Sequence, residues 1–239
     1  MSLTPSQRFS APLLIIRPEP GNAATAAAAR ALGLTVHAAP LFAMAATHWD
    51  APDRAAYTAL LAGSANSFRL GGPQLAGLAG LPVHAVGEAT AQAARAAGFA
   101  VARIGEGGLQ PMVLDLPPGR YLRLAGEKHL PLALPEHVIV DDIVVYAARP
   151  VPMPESLAAA LRQPAVIALH SGEAAVHFAA EIGRLGITAC DHALACLAPR
   201  IAKMAGIGWQ HIEIAHERTD EAVLALARQM CQKLWLPGN

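Results

Sequence analysis

The sequence predicts an α/β protein made of two parallel-sheet α/β domains, and three observations carry that expectation. The first is a unit that recurs four times, an Ala-rich amphipathic helix followed by a glycine and a short strand. Its copies are AAAARALGLTVHAAP (26–40), AQAARAAGFAVARIG (91–105), HFAAEIGRLGITACD (177–191) and PRIAKMAGIGWQHIEIA (199–215). The second is the reverse passage, from apolar strand into helix, at TALLAGSANSF (58–68), PVHAVGEATAQAARAAG (82–98), AVIALHSGEAAVHF (165–178) and ALACLAPRIAKMAG (193–206). Alternation of this kind builds parallel sheets covered by helices on both faces. The third is composition: of 239 residues 54% are hydrophobic and 15% charged, against about 25% charged in an average soluble chain. That excludes a disordered chain and leaves one large domain or two small ones, either able to bury a core.

Taken in order, APLLII (11–16) runs straight into Arg17-Pro18 without a small-residue cleavage pattern. It therefore reads as a first strand and not as a signal peptide, and the expected compartment is the cytoplasm. Gly33, Gly98, Gly186 and Gly206 each follow a last helical turn, where a left-handed residue ends the helix. The β-branched and aromatic residues after them suit strands. Ser64 to Gly98 and Ser171 to Gly206 span nearly the same length, so two similar modules are expected, centred near residues 85 and 190. GEGGLQPMVLDLPPG (105–119) reads as loop, helix and turn, and the Pro-rich ARPVPMPES (148–156) as a linker. The N-terminal strand and helix are too small to stand alone, and the right-handed crossover rule lets them join the second module. The expected organisation is a discontinuous domain of residues 1–40 plus 153–239 and an inserted domain of residues 49–141. Segments 41–48 and 142–152 would run side by side as a two-stranded hinge linker.

Eighteen basic residues balance eighteen acidic ones, and no Lys/Arg cluster is present. A nucleic-acid partner or an anionic membrane surface is therefore not expected. No apolar run reaches the ~18 residues of a membrane helix. Cys190, Cys196 and Cys231 are odd in number and form no C-x-x-C pair, which fits reduced, mostly buried thiols. The ten histidines are dispersed without metal-ligand spacing, so no metal is expected. His170 and His177 read as one loop residue and one helix residue.

In open parallel sheets ligands bind beyond the carboxyl ends of the strands, where helix N-termini offer free N–H groups to anions. Those ends here are Arg17, Ser64-Ala65-Asn66, Gly87-Glu88-Ala89-Thr90, Ala125-Gly126-Glu127, His170-Ser171-Gly172 and Ala198-Pro199. None forms a phosphate loop or a dinucleotide fingerprint, and Gly206 and Gly208 follow a helix, the wrong context. The plain reading of each Ser or Thr is a helix cap worth about 1 kcal/mol, of Tyr146 a ring packed on a strand, and of Arg17 a surface salt bridge. No acid/base pair and no nucleophile with an adjacent base is legible. Residues alone thus reach a two-domain α/β protein with an anion-friendly cleft.

The series IIRPEPGNAATAAAARALGLTVHAAPLF, GSANSF, AVGEATAQAARAAGFAV, IVVYAARPVP, HSGEAAVHF, ACLAPRIAKMAGIGW and TDEAVLALA, taken together in order and spacing, resembles the uroporphyrinogen-III synthase family over nearly the whole chain. The resemblance implies two α/β domains joined by a two-stranded linker, with the first domain built from both chain ends. It implies a cyclising hydro-lyase that acts without a cofactor and converts hydroxymethylbilane to uroporphyrinogen III in the tetrapyrrole route to haem, sirohaem and cobalamin. The hydroxyl leaves to give an azafulvene, the terminal ring attacks through its substituted carbon to give a spiro intermediate, and fragmentation and reclosure invert that ring. The bilane cyclises unaided to the uninverted isomer, so the implied task is orientation. A monomer acting on this small molecule is expected.

Carried over by position, the family's linker tyrosine falls on Tyr146, implied to assist departure of the hydroxyl. Arg17, Ser64, Ala65, Asn66, Thr90, Gly126, Ser171 and Gly172 are implied to contact substrate carboxylates. There are departures. LRLAGEKHL places Ala125 and Glu127 where many members have an Arg and an Asn-rich turn, with Lys128 as a substitute, and Ala198-Pro199-Arg200-Ile201 lacks an expected hydroxyl donor, for which Arg200 compensates. They motivate a second reading, a non-catalytic relative that binds a tetrapyrrole or another polyanionic small molecule as a regulator. A third, a hinged solute-binding protein, is opposed by the missing secretion pattern.

Overall fold

The computed structural model describes residues 10–234. The chain divides into two compact units, one made from both ends of the described chain, through Ala43 and from Pro150 onward, and one from Met44–Arg149. The elements run β1 (Leu13–Ile15), α1 (Gly21–Ala31), β2 (Val36–Ala38), β3 (Phe42–Ala46), β4 (Ala59–Ala62), α2 (Asn66–Arg69), β5 (Val83–Val86), α3 (Glu88–Ala96), β6 (Val101–Gly105), α4 (Leu109–Leu114), β7 (Gly119–Gly126) and β8 (Val138–Pro150). They continue as α5 (Glu155–Ala160), β9 (Val166–Leu169), α6 (Gly172–Arg184), β10 (Ala193–Cys196), α7 (Pro199–Met204), β11 (His211–Ile214) and α8 (Asp220–Leu234).

The unit made from both chain ends holds a five-stranded sheet in the order β11-β10-β9-β1-β2. All its pairings are parallel, with Leu13 opposite Val36 on one side and Val166 on the other. Its inner strands LLI, VIAL and ALAC are buried along their whole length. A parallel strand covered on both faces has no solvent side, and so its sequence does not alternate. One face carries Leu13, Ile15, Val166 and Ala168 against Ala26 and Ala29 of α1 and Val223 and Ala227 of α8. The alanines of α1 leave no long side chains to hold that helix off the sheet.

The inserted unit holds a six-stranded sheet in the order β3-β8-β7-β4-β5-β6, parallel from β8 through β6. Residues of β4 divide by parity between its two cores. Leu60 and Ala62 join Ala91 and Ala94 of α3 with Phe68 and Phe99, while Ala59 and Leu61 join Leu109, Met112 and Val113 of α4.

Gly33, Gly98, Gly186 and Gly206 have φ between 65° and 86°, the left-handed stop that the repeats require. The strand expected directly after Gly186 is absent, however. Residues Ala189–Asp191 form a 3-10 turn, closed by bonds from Asp191 N–H to Thr188 and from His192 N–H to Ala189, and the strand begins at Ala193. The chain uses ITACD to turn back into register beside β9. Strand β8 likewise begins at Val138, ahead of the segment read as linker, and is a full sheet member, paired with β7 from Gly119↔Val138 to Gly126↔Tyr146. The segment 105–119 is loop, α4 and turn as expected. Cys196 and Cys231 are buried, and burial pushes both thiols up to about 12, whereas Cys190 is exposed. Among the described residues no helix is long and apolar enough to cross a membrane.

Where the chain re-enters the first unit, Glu181 of α6 holds it. The Glu181 carboxylate accepts from Met153 N–H at 2.6 Å and from Arg184 Nε and Nη2 at 2.8 and 2.7 Å. The Arg184 hydrogen bonds first, then the Met153 amide, hold the carboxyl down from 4.5 to about 2. A depressed folded-state pKa stabilises above the unfolded value and is lost as pH falls through the folded one. In denaturant titrations the stability advantage of the wild type over Glu181→Gln should therefore be complete above pH 4.5 and shrink between pH 4.5 and 2. A difference that stays constant across that window would contradict the assignment. Leu61, fully buried in β4, should cost about 2–5 kcal/mol on Leu61→Ala, read as a lowered denaturation midpoint.

Candidate functional site at the carboxyl ends of the strands

Strand order fixes where a ligand can reach backbone. From β1 the chain crosses to β2 on one side, while its other neighbour β9 leads away toward β10. In the inserted unit β4 leads to β5, and its other neighbour β7 leads to β8. Each such reversal opens a crevice at the carboxyl ends of two adjacent strands, the usual ligand position in open α/β sheets. In the first unit that position carries Arg17 after β1 and His170-Ser171-Gly172 after β9. In the inserted unit it carries Ser64-Ala65-Asn66 after β4 and Gly126 at the end of β7, with Tyr146 opposite Gly126 on β8. Thr90 and Arg200 lie one strand further out, on α3 after β5 and on α7 after β10. Periodicity locates strand ends but not strand order, so the sequence alone did not separate these groups.

The Tyr146 ring lies flat against the Gly126 backbone. A Cβ at Gly126 would sit 2.7 Å from ring carbons Cε2 and Cζ and 2.9 Å from the hydroxyl, closer than real Cβ atoms approach. A side chain at Gly126 would therefore have to push the outer part of the Tyr146 ring aside. Glu127 N–H donates to the Tyr146 carbonyl at 2.9 Å and fixes the register of the pair. The Tyr146 ring is half-buried in the core, and its hydroxyl has no hydrogen-bond partner among the described residues. The loop after β7 is clamped by residues that sequence reasoning missed. Buried Arg123 donates to the Leu130 carbonyl at 3.0 Å and stands 3.7 Å from Asp142, while His129 bridges the Gly126 carbonyl at 2.7 Å and Asp142 at 3.0 Å. The available signal was Arg123 set between Leu122 and Leu124 in β7.

Helix starts differ in how much of their N–H array is already used. At α1 the Glu19 carboxylate accepts from Ala23 N–H at 3.0 Å, and buried Asn22 donates to the Ile15 and Arg17 carbonyls at 3.0 Å each. A carboxylate of the chain therefore already occupies the α1 start. At α6 the Ser171 hydroxyl accepts from Ala174 N–H at 3.1 Å, the helix cap of the plain reading, and Gly172 is packed against Met204 of α7, whose side chain a Cβ there would have to displace. At the short α2, Ser64 accepts from Asn66 N–H at 3.2 Å, and buried Ser67 donates to the Leu124 carbonyl at 2.7 Å, tying α2 to β7. The start of α3 has no side-chain cap. Gly87, with φ 75°, spends its own N–H on Gly105, and the N–H groups of Glu88, Ala89 and Thr90 make no hydrogen bond among the described residues. The Thr90 side chain is buried and Arg200 is exposed, with no ion pair among the described residues.

Arg17 does form a salt bridge, but within a network. It reaches Asp220 at 3.0 Å and Thr25 at 3.1 Å, and Asp220 also receives His170 Nε2 at 2.7 Å. Burial, then the Arg17 charge, pushes the His170 imidazole below its usual range, against the opposing pull of Asp220. The grooves on the helical faces, about 410 Å³ beside Phe68 and Gln92 and about 650 Å³ between α1 and α8, contain none of the strand-end residues.

A family model described as uroporphyrinogen-III synthase HemD matches residues 23–225. The chain belongs to the uroporphyrinogen-III synthase family. Among solved structures, uroporphyrinogen-III synthetase from Helicobacter pylori 26695 is similar at a TM-score of 0.54 and 18% identity, covering 92% of this chain and 99% of that one. A mutant uroporphyrinogen III synthase from the extremely thermophilic bacterium Thermus thermophilus aligns at 20% identity over 93% of this chain and all of its own, with a TM-score of 0.42. Comparison with curated proteins gives no match. At these identities the H. pylori likeness speaks for the shared fold, and the family match speaks for membership. For this uroporphyrinogen-III synthase family member, Ser171→Ala should cost about 1 kcal/mol through loss of the α6 cap. Chemical denaturation checks it, and an unchanged midpoint would remove the cap from the account.

Proposed function

We propose that this chain cyclises hydroxymethylbilane to uroporphyrinogen III with loss of water and inversion of the last pyrrole ring. The observation that carries the reading is family membership across residues 23–225. The strand ends support it in kind, because they offer amides, hydroxyls and one tethered arginine, and a carboxylate-rich substrate needs donors.

In this reading the pyrrole nitrogen's electron pair expels the hydroxyl while the Tyr146 phenol donates a hydrogen bond to the departing oxygen. The pyrrole N–H proton goes to that oxygen, which leaves as water, and an azafulvene remains. The substituted carbon of the terminal ring then attacks to give the spiro intermediate, which fragments and recloses. Every step is driven by the substrate's own electron-rich rings. The protein has to select one carbon over another, and a held orientation supplies that selectivity. Tyr146 suits its role because the Gly126 backbone fixes its ring and its hydroxyl is left unspent. The open N–H groups at Glu88, Ala89 and Thr90 receive a substrate carboxylate. Arg17, Ser64, Ala65, Asn66, Ser171, Gly172 and Arg200 complete the set of substrate contacts. No cofactor enters the scheme. Unpaired cysteines support a reducing, cytoplasmic setting, and we assign a monomer with neither nucleic acid nor membrane as partner.

Incubation with hydroxymethylbilane and analysis of the isomers tests the activity. Isomer III supports the proposal, and isomer I at the spontaneous rate overturns it in favour of a binding protein. Tyr146→Phe should lower kcat by about 10²-fold, the scale of removing one hydrogen-bond donor aimed at charge developing in the transition state, without shifting the denaturation midpoint. A wild-type rate in that variant would remove the role given to Tyr146.

A further inference from the structure

Arg17 makes its hydrogen bonds through Nη1 alone. Asp220, the first residue of α8, accepts at Oδ1 from Arg17 Nη1 at 3.0 Å and from His170 Nε2 at 2.7 Å, and at Oδ2 from the Thr25 hydroxyl at 2.7 Å. Thr25 is fully buried and also accepts from Arg17 Nη1 at 3.1 Å. Both Nη1 hydrogens and both carboxylate oxygens are therefore engaged. His170 donates through Nε2 to the same Asp220 oxygen that Arg17 reaches.

The other edge of the guanidinium, Nε and Nη2, has no hydrogen-bond partner among the described residues. It lies against Gly21 at the start of α1, where a Cβ would stand 2.6 Å from Nε and 2.9 Å from Nη2. The Arg17 side chain remains 31% exposed. This is the edge that grips a carboxylate through two parallel hydrogen bonds.

We propose that Asp220 is a positioning residue for substrate: with Thr25 and His170 it fixes Arg17 by Nη1, so that the Nε–Nη2 edge stays presented to a carboxylate of hydroxymethylbilane. The inference rests on the reading above that Arg17 binds a substrate carboxylate. It differs in sign from simple charge balance. If Asp220 only neutralised Arg17, removing it would free a cation and tighten anion binding. If Asp220 positions Arg17, removing it loosens the fork and weakens binding.

The test is steady-state kinetics with hydroxymethylbilane on full-length Arg17→Ala, Asp220→Ala and the double variant. The expected result is a KM raised about ten-fold in each single variant with kcat within two-fold of wild type, and no further rise in the double variant, because both changes remove one unit. An unchanged or lowered KM in Asp220→Ala, with a raised KM in Arg17→Ala, overturns the positioning role alone. An unchanged KM in Arg17→Ala overturns the substrate reading beneath it. Should Asp220→Ala fail to fold, Thr25→Val decides. It is nearly isosteric and removes no charge, but it takes away the hydroxyl that holds both Arg17 Nη1 and Asp220 Oδ2. A raised KM supports the proposal, and a wild-type KM overturns it.

Discussion

Parallel strands that exchange hydrogen bonds must all point one way, and most of this molecule follows from that requirement. Each connection has to travel the length of the sheet and return, which takes a helix and covers a face. Both faces are then dry, and the inner strands read as VIAL, ALAC and ALLA rather than as alternating sequences. Every exit from a parallel strand falls on one edge of its sheet, so the residues with spare donors gather there without any local signal to place them. The two sheets meet the requirement in different strand orders, β2-β1-β9-β10-β11 and β6-β5-β4-β7-β8, yet each has one pair of neighbours from which the chain departs in opposite directions.

At those edges the protein spends its polar groups unequally. Some helix starts are closed by the chain's own side chains, Glu19 on α1 and Ser171 on α6. The start of α3 is left bare. Arg17 is neither closed nor bare, with one nitrogen committed and the other two without a hydrogen-bond partner among the described residues. Under the proposed function, substrate recognition at these edges draws on geometry more than on charge. In that proposal a chain with eighteen charges of each sign gives up nothing by lacking a basic excess, because fixed dipoles and a single tethered cation serve as the anion contacts.

Much of the fold was legible because its signals are local. The glycine stops at Gly33, Gly98, Gly186 and Gly206 depend on one residue's conformation, and they stand where the repeats put them. The helix starts at Ser171 and Glu88 are legible for the same reason. The strand misread after Gly186 shows the limit. ITACD has strand-like composition, but Ala189–Asp191 close a 3-10 turn and the strand begins only at Ala193. The site was legible as a set of positions but not as an arrangement. Asp220 looks like an ordinary acidic residue opening a helix, and nothing in the sequence links it to Arg17 and His170, which precede it by 203 and 50 residues. Gly126 reads as a strand end until the Tyr146 ring is seen lying on it. Such long-range contacts come from strand order, which no single window of sequence contains.

The pairing of β1 with β9 also bears on how the protein is made. A ribosome delivers Leu13–Ile15 first and Val166–Leu169 only after the whole inserted unit has emerged. The inserted unit can reach its native state while translation continues, but the opening strand and Ala-rich helix must wait with their apolar side uncovered. Nascent chains stalled before residue 166 would thus present the amino-terminal segment to chaperones, and the rate of elongation through the insertion sets how long that exposure lasts.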